Sequence, residues 1–310
     1  MLSTVLRQQG CHETIRAVAR DTSRIDGRVV DRVCSWFDVN ARPLPWRDTS
    51  PWGVMVSEFM LQQTPVARVE PVWRRWIERW PSPSDLAAEP AGEAVRAWGR
   101  LGYPRRALRL HAAAQVIAAD FDDRVPSDEA TLRSLPGVGD YTAAAICAFA
   151  FGQPTVVLDV NVRRVISRAW TGIDEPPAHL TSVERALATA LVDAASDGAT
   201  WAAASMELGA LVCTRKEPSC QVCPLRRTCR WVATGMPQGD GSRRIQARFE
   251  GSDRQARGRI MRVLRDAHGS IARSDLMAVI DDDEQGKRAL ASLEADGLVV
   301  RRGSRYSLPE

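Results

Sequence analysis

Two carboxylates and four thiols stand out in this chain as side chains placed for chemistry. Glu58 lies in PWGVMVSEFMLQQT among Val54, Met55, Phe59, Met60 and Leu61. A carboxyl turned inward there has its pKa raised by desolvation and can hold a proton near neutrality. Turned outward, it is an ordinary acid on the polar face of a helix. Asp159, in PTVVLDVNVRRV, sits between an apolar run and a helix, the position of an N-cap. The helix dipole keeps a capping carboxylate ionised, which suits a group facing a developing cation. One protonated and one ionised carboxyl make the pair that cleaves glycosidic bonds through an oxocarbenium-like transition state.

Cys213, Cys220, Cys223 and Cys229 fall within 17 residues at the spacing C-x6-C-x2-C-x5-C, while Cys11, Cys34 and Cys147 are scattered. In a reducing compartment such a cluster reads as metal binding rather than as a disulfide framework. Four thiolates suit tetrahedral zinc or a [4Fe-4S] cluster, and the ligand types leave both open.

A third feature is LPGVGDYTAAAI, residues 135 to 146. Gly137, Val138 and Gly139 form a tight turn opening directly into a helix, so backbone amides and the helix N-terminus can together hold a phosphate.

The elements that must position these groups are helical. Apolar residues recur at three- and four-residue intervals over 25–38, 53–63, 66–79, 91–99, 104–119, 140–151, 161–170, 181–195 and 199–212, with loops marked by Pro81, Pro83, Pro126 and Pro136. Strand-like alternation is nearly absent before residue 298. Residues 233–252 read as a linker rich in Gly, Ser and charge. Beyond it come three short helices and a hairpin turning at Gly303 and Ser304, a winged-helix-like pattern over 253–310.

The 310 residues are 45% hydrophobic and 26% charged, which gives ordinary globular composition with room for two or three domains. The apolar runs are far shorter than the roughly 20 residues that span a bilayer, and the polar N-terminus lacks a signal-peptide pattern, so the cytosol is the expected compartment. Net charge is +4, and 40 of 42 basic residues are arginine, a skew attributable to genomic composition. That balance permits DNA as a partner without demanding it.

In order along the chain, LPWR, SEFMLQQTPV, LGYPRRA, LPGVGDYTAAA, LDVNVRRV, MELGALVC and the four cysteines resemble the helix-hairpin-helix glycosylases of the endonuclease III superfamily, in its A/G-specific adenine glycosylase branch. The resemblance runs from about residue 25 to residue 231. It implies an all-α, two-lobed core over 25–232: a six-helix lobe at 46–154 carrying the hairpin at about 133–147, and an iron-sulfur lobe made of 25–45 and 155–232. It also implies one [4Fe-4S] cluster on the four cysteines. The expected partner is double-stranded DNA containing adenine opposite 8-oxoguanine or G, met by a monomer in the cytoplasm or at the nucleoid.

By the same resemblance Glu58 is the acid that protonates adenine at N7, and Asp159 the carboxylate that stabilises or briefly bonds the C1′ cation. Tyr141 and Asn161 support these carboxyls, and Arg42 and Arg47 line the adenine pocket. Gln63 and Tyr103 enter the base stack, with Gln62 beside them on the DNA side. Bifunctional relatives carry a lysine where Tyr141 stands; with only Lys216 and Lys287 in the chain, a monofunctional glycosylase is expected. Val160 stands where glycine is frequent, and Ala203 where some members have a glutamate. Residues 1–24 read as an extension without assigned role, and about 60 residues after the linker are too few for a nudix-like domain. Arg257, Arg259, Arg262, Lys287, Arg301, Arg302 and Arg305 could meet DNA, although the acidic run at 281–284 opposes this. A thymine mismatch glycosylase and a non-catalytic, redox-sensing DNA-binding protein are the rival readings.

Overall fold

The computed structural model describes residues 25–238 and 248–310. The extension at 1–24 and residues 239–247 of the expected linker lie outside these residues. The chain divides into two compact units, each assembled from separate segments.

The first unit takes residues 25–43, 127–129 and 139–238. Its helices are α1 (Gly27–Asn40), α8 (Asp140–Phe151), α9 (Val160–Ile166), α10 (Ser182–Ala194), α11 (Gly198–Leu211) and α12 (Arg230–Ala233), with a π-turn at Ser167–Thr171 closing α9. Val30 and Val33 of α1 meet Val162, Val165 and Ile166 of α9 and Trp201 and Leu208 of α11 in one core. Leu225, Cys229 and Trp231 extend that core to the cysteine-bearing loop. Each such large apolar side chain contributes about 1.5–3 kcal/mol by leaving water. Helix α8 joins this unit through Ala144, Ala145 and Ala148, which pack on Val157 and Ala202. Small residues there let two helices approach closely.

The second unit takes residues 44–126, 130–138 and 248–310. It holds α2 (Pro51–Leu61), α3 (Val66–Arg79), α4 (Pro83–Ala87), α5 (Ala91–Trp98), α6 (Arg105–Asp120) and α7 (Glu129–Ser134). Ser50 caps α2, its hydroxyl accepting from the Gly53 amide at 3.3 Å, and Pro51 occupies the first turn. From Trp52 to Met60 every residue of α2 is buried. Tryptophans wall it in: Trp76 packs edge-on against Trp80 and Trp98, and the Trp73 indole donates to the Gly53 carbonyl at 2.8 Å.

Residues 248–310 form three helices, α13 (Asp253–Asp266), α14 (Arg273–Met277) and α15 (Asp283–Ala295), and an antiparallel sheet ordered β1-β3-β2. Strands β2 (Val300–Arg302) and β3 (Arg305–Ser307) make the expected hairpin around Gly303 and Ser304. The two-residue β1 (Ile271–Ala272) is an addition too short for sequence periodicity to disclose. This segment docks on α5: the Pro309 carbonyl accepts from the Gly92 amide at 2.7 Å, and the Ala267 carbonyl accepts from Arg96 at 2.9 Å. A β-carbon at Gly92 would lie 2.5 Å from the Pro309 oxygen, so only glycine permits the approach.

Candidate active site and cysteine cluster

In the first unit, Asp159 caps α9. Its Oδ1 accepts from the amides of Asn161 at 2.9 Å and Val162 at 2.7 Å, and its Oδ2 from Asn161 Nδ2 at 2.8 Å. The sequence leads one to expect a carboxylate kept ionised by the helix dipole; in the fold, burial works against that effect. Burial pushes the Asp159 carboxyl above its ordinary range, against the opposing pull of these hydrogen bonds and of the Arg164 charge. Beside it, Val160 is 72% exposed.

Asn161 has its amide orientation fixed from both ends, because its Oδ1 accepts from Arg164 Nη2 at 2.7 Å. The buried Arg164 also donates to the carbonyls of Gly209 at 2.7 Å and Cys213 at 2.7 Å. Four residues on, Arg168 donates to the Thr214 carbonyl at 2.7 Å, approaches the Cys213 sulfur at 3.5 Å and stacks over Trp231. Its charge is met by Asp174 at 2.7 Å. A continuous chain of hydrogen bonds therefore runs from the Asp159 carboxyl through Asn161 and Arg164 to the backbone of Cys213.

Helix α11 supplies a second constraint. Glu207 is 2% exposed and takes three donors from Arg42: the backbone amide at 2.8 Å, Nε at 2.9 Å and Nη2 at 2.6 Å. Arg42, expected to line a pocket, is thus held in place by α11. Two residues on, a β-carbon at Gly209 would lie 2.7 Å from the Asn161 β-carbon. Gly209→Ala is expected to push α9 off α11 and cost about 1–3 kcal/mol. Thermal unfolding would show the loss, and the same variant should also lower any activity that depends on Asn161.

Cys213, Cys220, Cys223 and Cys229 are free of disulfides and gather against the end of the first unit's core. Burial raises the thiols of Cys220, Cys223 and Cys229, and the charge of Cys213 adds to each. All four pack on the same core, and four soft donors are of the type that suits an iron-sulfur or zinc group. Among the described residues no group of three or more His, Cys, Asp or Glu side chains is drawn together as ligands of a single ion. Tyr141, in the first turn of α8, is half-buried against the alanine-rich contact with α11.

The second unit carries the other expected residues. Glu58 is buried in α2, 5% exposed, which excludes the alternative of a solvent-facing acid. Arg47 closes a short turn of 3-10 helix at Pro45–Arg47, next to the buried Trp46. Past the end of α2, Gln63 is exposed with φ of 54°, and Tyr103 in the loop before α6 is 52% exposed with φ of 46°. Left-handed backbone is unusual for either residue type.

In the hairpin turn Gly137 has φ of 81° and faces Arg109 and Phe59 so closely that a β-carbon would sit 2.7 Å from the former and 3.0 Å from the latter. Val138, expected to offer its amide outward, instead buries its side chain and donates its amide to the Leu135 carbonyl at 3.1 Å. Gly139 stands in open space at the start of α8, which begins without a side-chain cap. The part of the motif with open, uncapped backbone is therefore Gly139 and the first turn of α8. In the C-terminal segment, Arg257, Arg259, Lys287 and Arg302 are occupied by Asp296, Asp281, Asp283 with Glu284, and Glu310 respectively. That pairing argues against the uniformly basic face a DNA-reading domain would present.

The interior roles of Arg106, Arg164, Arg168 and Glu207 are not apparent from residue type alone. The i, i+3 and i, i+4 spacing of Asn161, Arg164 and Arg168 was the available signal.

The family described as HhH-GPD superfamily base excision DNA repair protein matches residues 56–188. Adenine DNA glycosylase of Mycolicibacterium smegmatis is 50% identical over 268 residues, covering 86% of this chain and 90% of that protein. The protein of the same name from Mycobacterium tuberculosis is 47% identical, covering 89% of this chain and 91% of its own length. Among solved structures, a thermostable thymine-DNA glycosylase aligns with a TM-score of 0.59 at 25% identity, over 66% of this chain and 95% of that one. An endonuclease III bound non-covalently to DNA aligns with a TM-score of 0.56 at 24% identity, over 67% and 94%. Half identical over the 268 residues aligned with a relative of which it covers 90%, the chain belongs to the adenine DNA glycosylase family of the HhH-GPD superfamily.

Proposed function

We propose that this protein releases adenine from duplex DNA in which adenine stands opposite 8-oxoguanine or G, acting as a monomer on the DNA of the cytoplasm. The observation that carries the reading is Asp159: a carboxylate at a helix N-terminus, oriented by three hydrogen bonds and partly withdrawn from water. In the proposed reaction the adenine is first turned out of the stack, with Gln63 and Tyr103 filling the space it leaves. Glu58 delivers its proton to N7, and the C1′–N9 bond breaks with its electron pair going to the base. The ionised Asp159 faces the positive charge left on the sugar, a water oxygen bonds to C1′ and its proton is lost, leaving an abasic site. Arg42 and Arg47 border the base, while Tyr141 and Asn161 hold the carboxyls. Gly139 and the first turn of α8 take a backbone phosphate.

Cys213, Cys220, Cys223 and Cys229 would hold a [4Fe-4S] cluster. When bound it supplies a rigid cross-link for the 213–229 loop; hydrolysis of an N-glycosidic bond is redox-neutral and asks no electron of it. Arg164 and Arg168 tie that loop to α9. Iron and acid-labile sulfide in equal amounts, with a thiolate-to-iron absorbance band, would distinguish this group from zinc.

Base-release kinetics on duplexes pairing A or T with 8-oxoguanine or G test the reading. Adenine should leave from both of its mispairs, thymine should stay, and strand scission should require added alkali. Borohydride should trap no stoichiometric adduct, since the chain's two lysines are Lys216, exposed beside the cysteines, and Lys287, paired with Asp283 and Glu284. Faster release of thymine than adenine would overturn the assignment, and a lysine adduct would overturn monofunctionality.

A further inference from the structure

Arg106 is 6% exposed, yet it lies between two loops whose tips are solvent-exposed. Its Nη1 donates to the carbonyls of Phe59 at 2.8 Å, Met60 at 3.0 Å and Gln62 at 2.6 Å, the last carbonyls at the end of α2. Its Nη2 donates to Thr64 Oγ1 at 3.0 Å and to the Gly102 carbonyl at 3.1 Å. The guanidinium stacks over Trp98 and Tyr103, at 5.2 Å and 5.6 Å from the ring centres. These hydrogen bonds all go to neutral oxygens. Burial pulls the guanidinium down to about 10, so it remains charged at neutral pH.

The placement of two of these bonds is specific. Gln62 immediately precedes Gln63, and Gly102 immediately precedes Tyr103, so one planar fork grips the peptide ahead of each left-handed residue. The Gly102 carbonyl is held a second time by the Trp98 indole at 3.0 Å, and the Thr64 hydroxyl lies 3.3 Å from the Leu101 carbonyl. The loops at 62–64 and 101–103 are thereby joined through a single side chain. A guanidinium can grip both because its donors lie in one rigid plane; an ammonium on a flexible stem cannot reproduce that spacing.

We infer that Arg106 is a positioning residue that fixes Gln63 and Tyr103 relative to one another as a rigid two-pronged wedge, so that duplex binding is converted into extrusion of the target base. The inference rests on the proposed reading that the chain acts on a base turned out of duplex DNA. A rigid wedge spends its contacts on separating the stack; a loose one can let the loops bend while the duplex stays closed.

The test compares wild type with Arg106→Lys on a duplex carrying A opposite 8-oxoguanine and on the same duplex with 2-aminopurine at the target position. Arg106→Lys should lower the single-turnover rate by about tenfold or more, as a small misplacement does. The 2-aminopurine fluorescence rise should shrink with it, while duplex affinity stays within about threefold, the scale of one hydrogen bond. Thr64→Val, which removes one acceptor from the fork and keeps side-chain volume, should reduce both readouts by about threefold and decides the matter if the lysine variant fails to fold. An unchanged fluorescence rise in the variants, whether or not the rate falls, overturns the inference. Wild type that extrudes 2-aminopurine but releases no adenine sinks the glycosylase reading and leaves the Arg106 comparison measurable. Wild type that does neither overturns both.

Discussion

Asp159→Asn is expected to lower adenine release to on the order of a thousandth of the wild-type rate, with the fold and duplex affinity retained. The hydrogen-bond pattern is what makes this separation of effects expected. Both α9 amides go to one carboxyl oxygen, Oδ1, which an asparagine can still present, so the cap survives. The lost oxygen is the one that faces Asn161 Nδ2, and the lost charge is the one a sugar cation requires. Glu58→Gln should cost about 10²–10⁴ in rate at the buried position in α2, since it removes a proton donor without changing shape. Single-turnover kinetics with gel-shift titration on the same mispaired duplex check both. A variant of either kind that kept most of its activity would remove that carboxyl from the mechanism.

The second large effect concerns Arg164. Arg164→Met leaves the carbonyls of Gly209 and Cys213 and the Oδ1 of Asn161 without the donor they now share, at about 1–3 kcal/mol for each group left unsatisfied. It also removes a positive charge that pulls Asp159 down. With Asp159 acting as the anion in the proposed reaction, activity should be lost as pH falls through its pKa, which burial raises above the ordinary carboxylate value. Removing Arg164 moves the acid limb of the pH–rate profile to higher pH; Arg164→Lys leaves the limb nearer its place but loses the fork. Profiles for the three proteins distinguish charge from geometry. An acid limb that did not move in Arg164→Met would exclude electrostatic coupling between the two residues.

Much of the scaffold was legible because helices of eleven to sixteen residues leave a clear apolar period, as α2, α3, α6 and α8 do. Short helices such as α4 and α7 leave none, although Ser82 and Asp85 form a capping box that marks the start of α4. The site was legible where residue type and chemistry coincide, at Asp159, Glu58 and the four cysteines. It was illegible where a charged side chain serves the interior. Arg106, Arg164, Arg168 and Glu207 read as surface residues in the sequence, and only the fold shows that carbonyls and partner charges offset their burial.

The way the first unit is threaded bears on how the chain comes to be folded. Helix α1 and the residues just past it find their partners at the far side of the sequence: Asp31 accepts from the Ser196 amide, and Arg42 reaches Glu207, both across 165 residues. Contacts of that range make the unit a slow folder, because the loop must close before any of them is gained. At a synthesis rate of about 5–20 residues per second, α1 leaves the ribosome on the order of ten seconds or more before α11 exists to cover Val30 and Val33. For that interval its apolar face is a natural client for a holding chaperone.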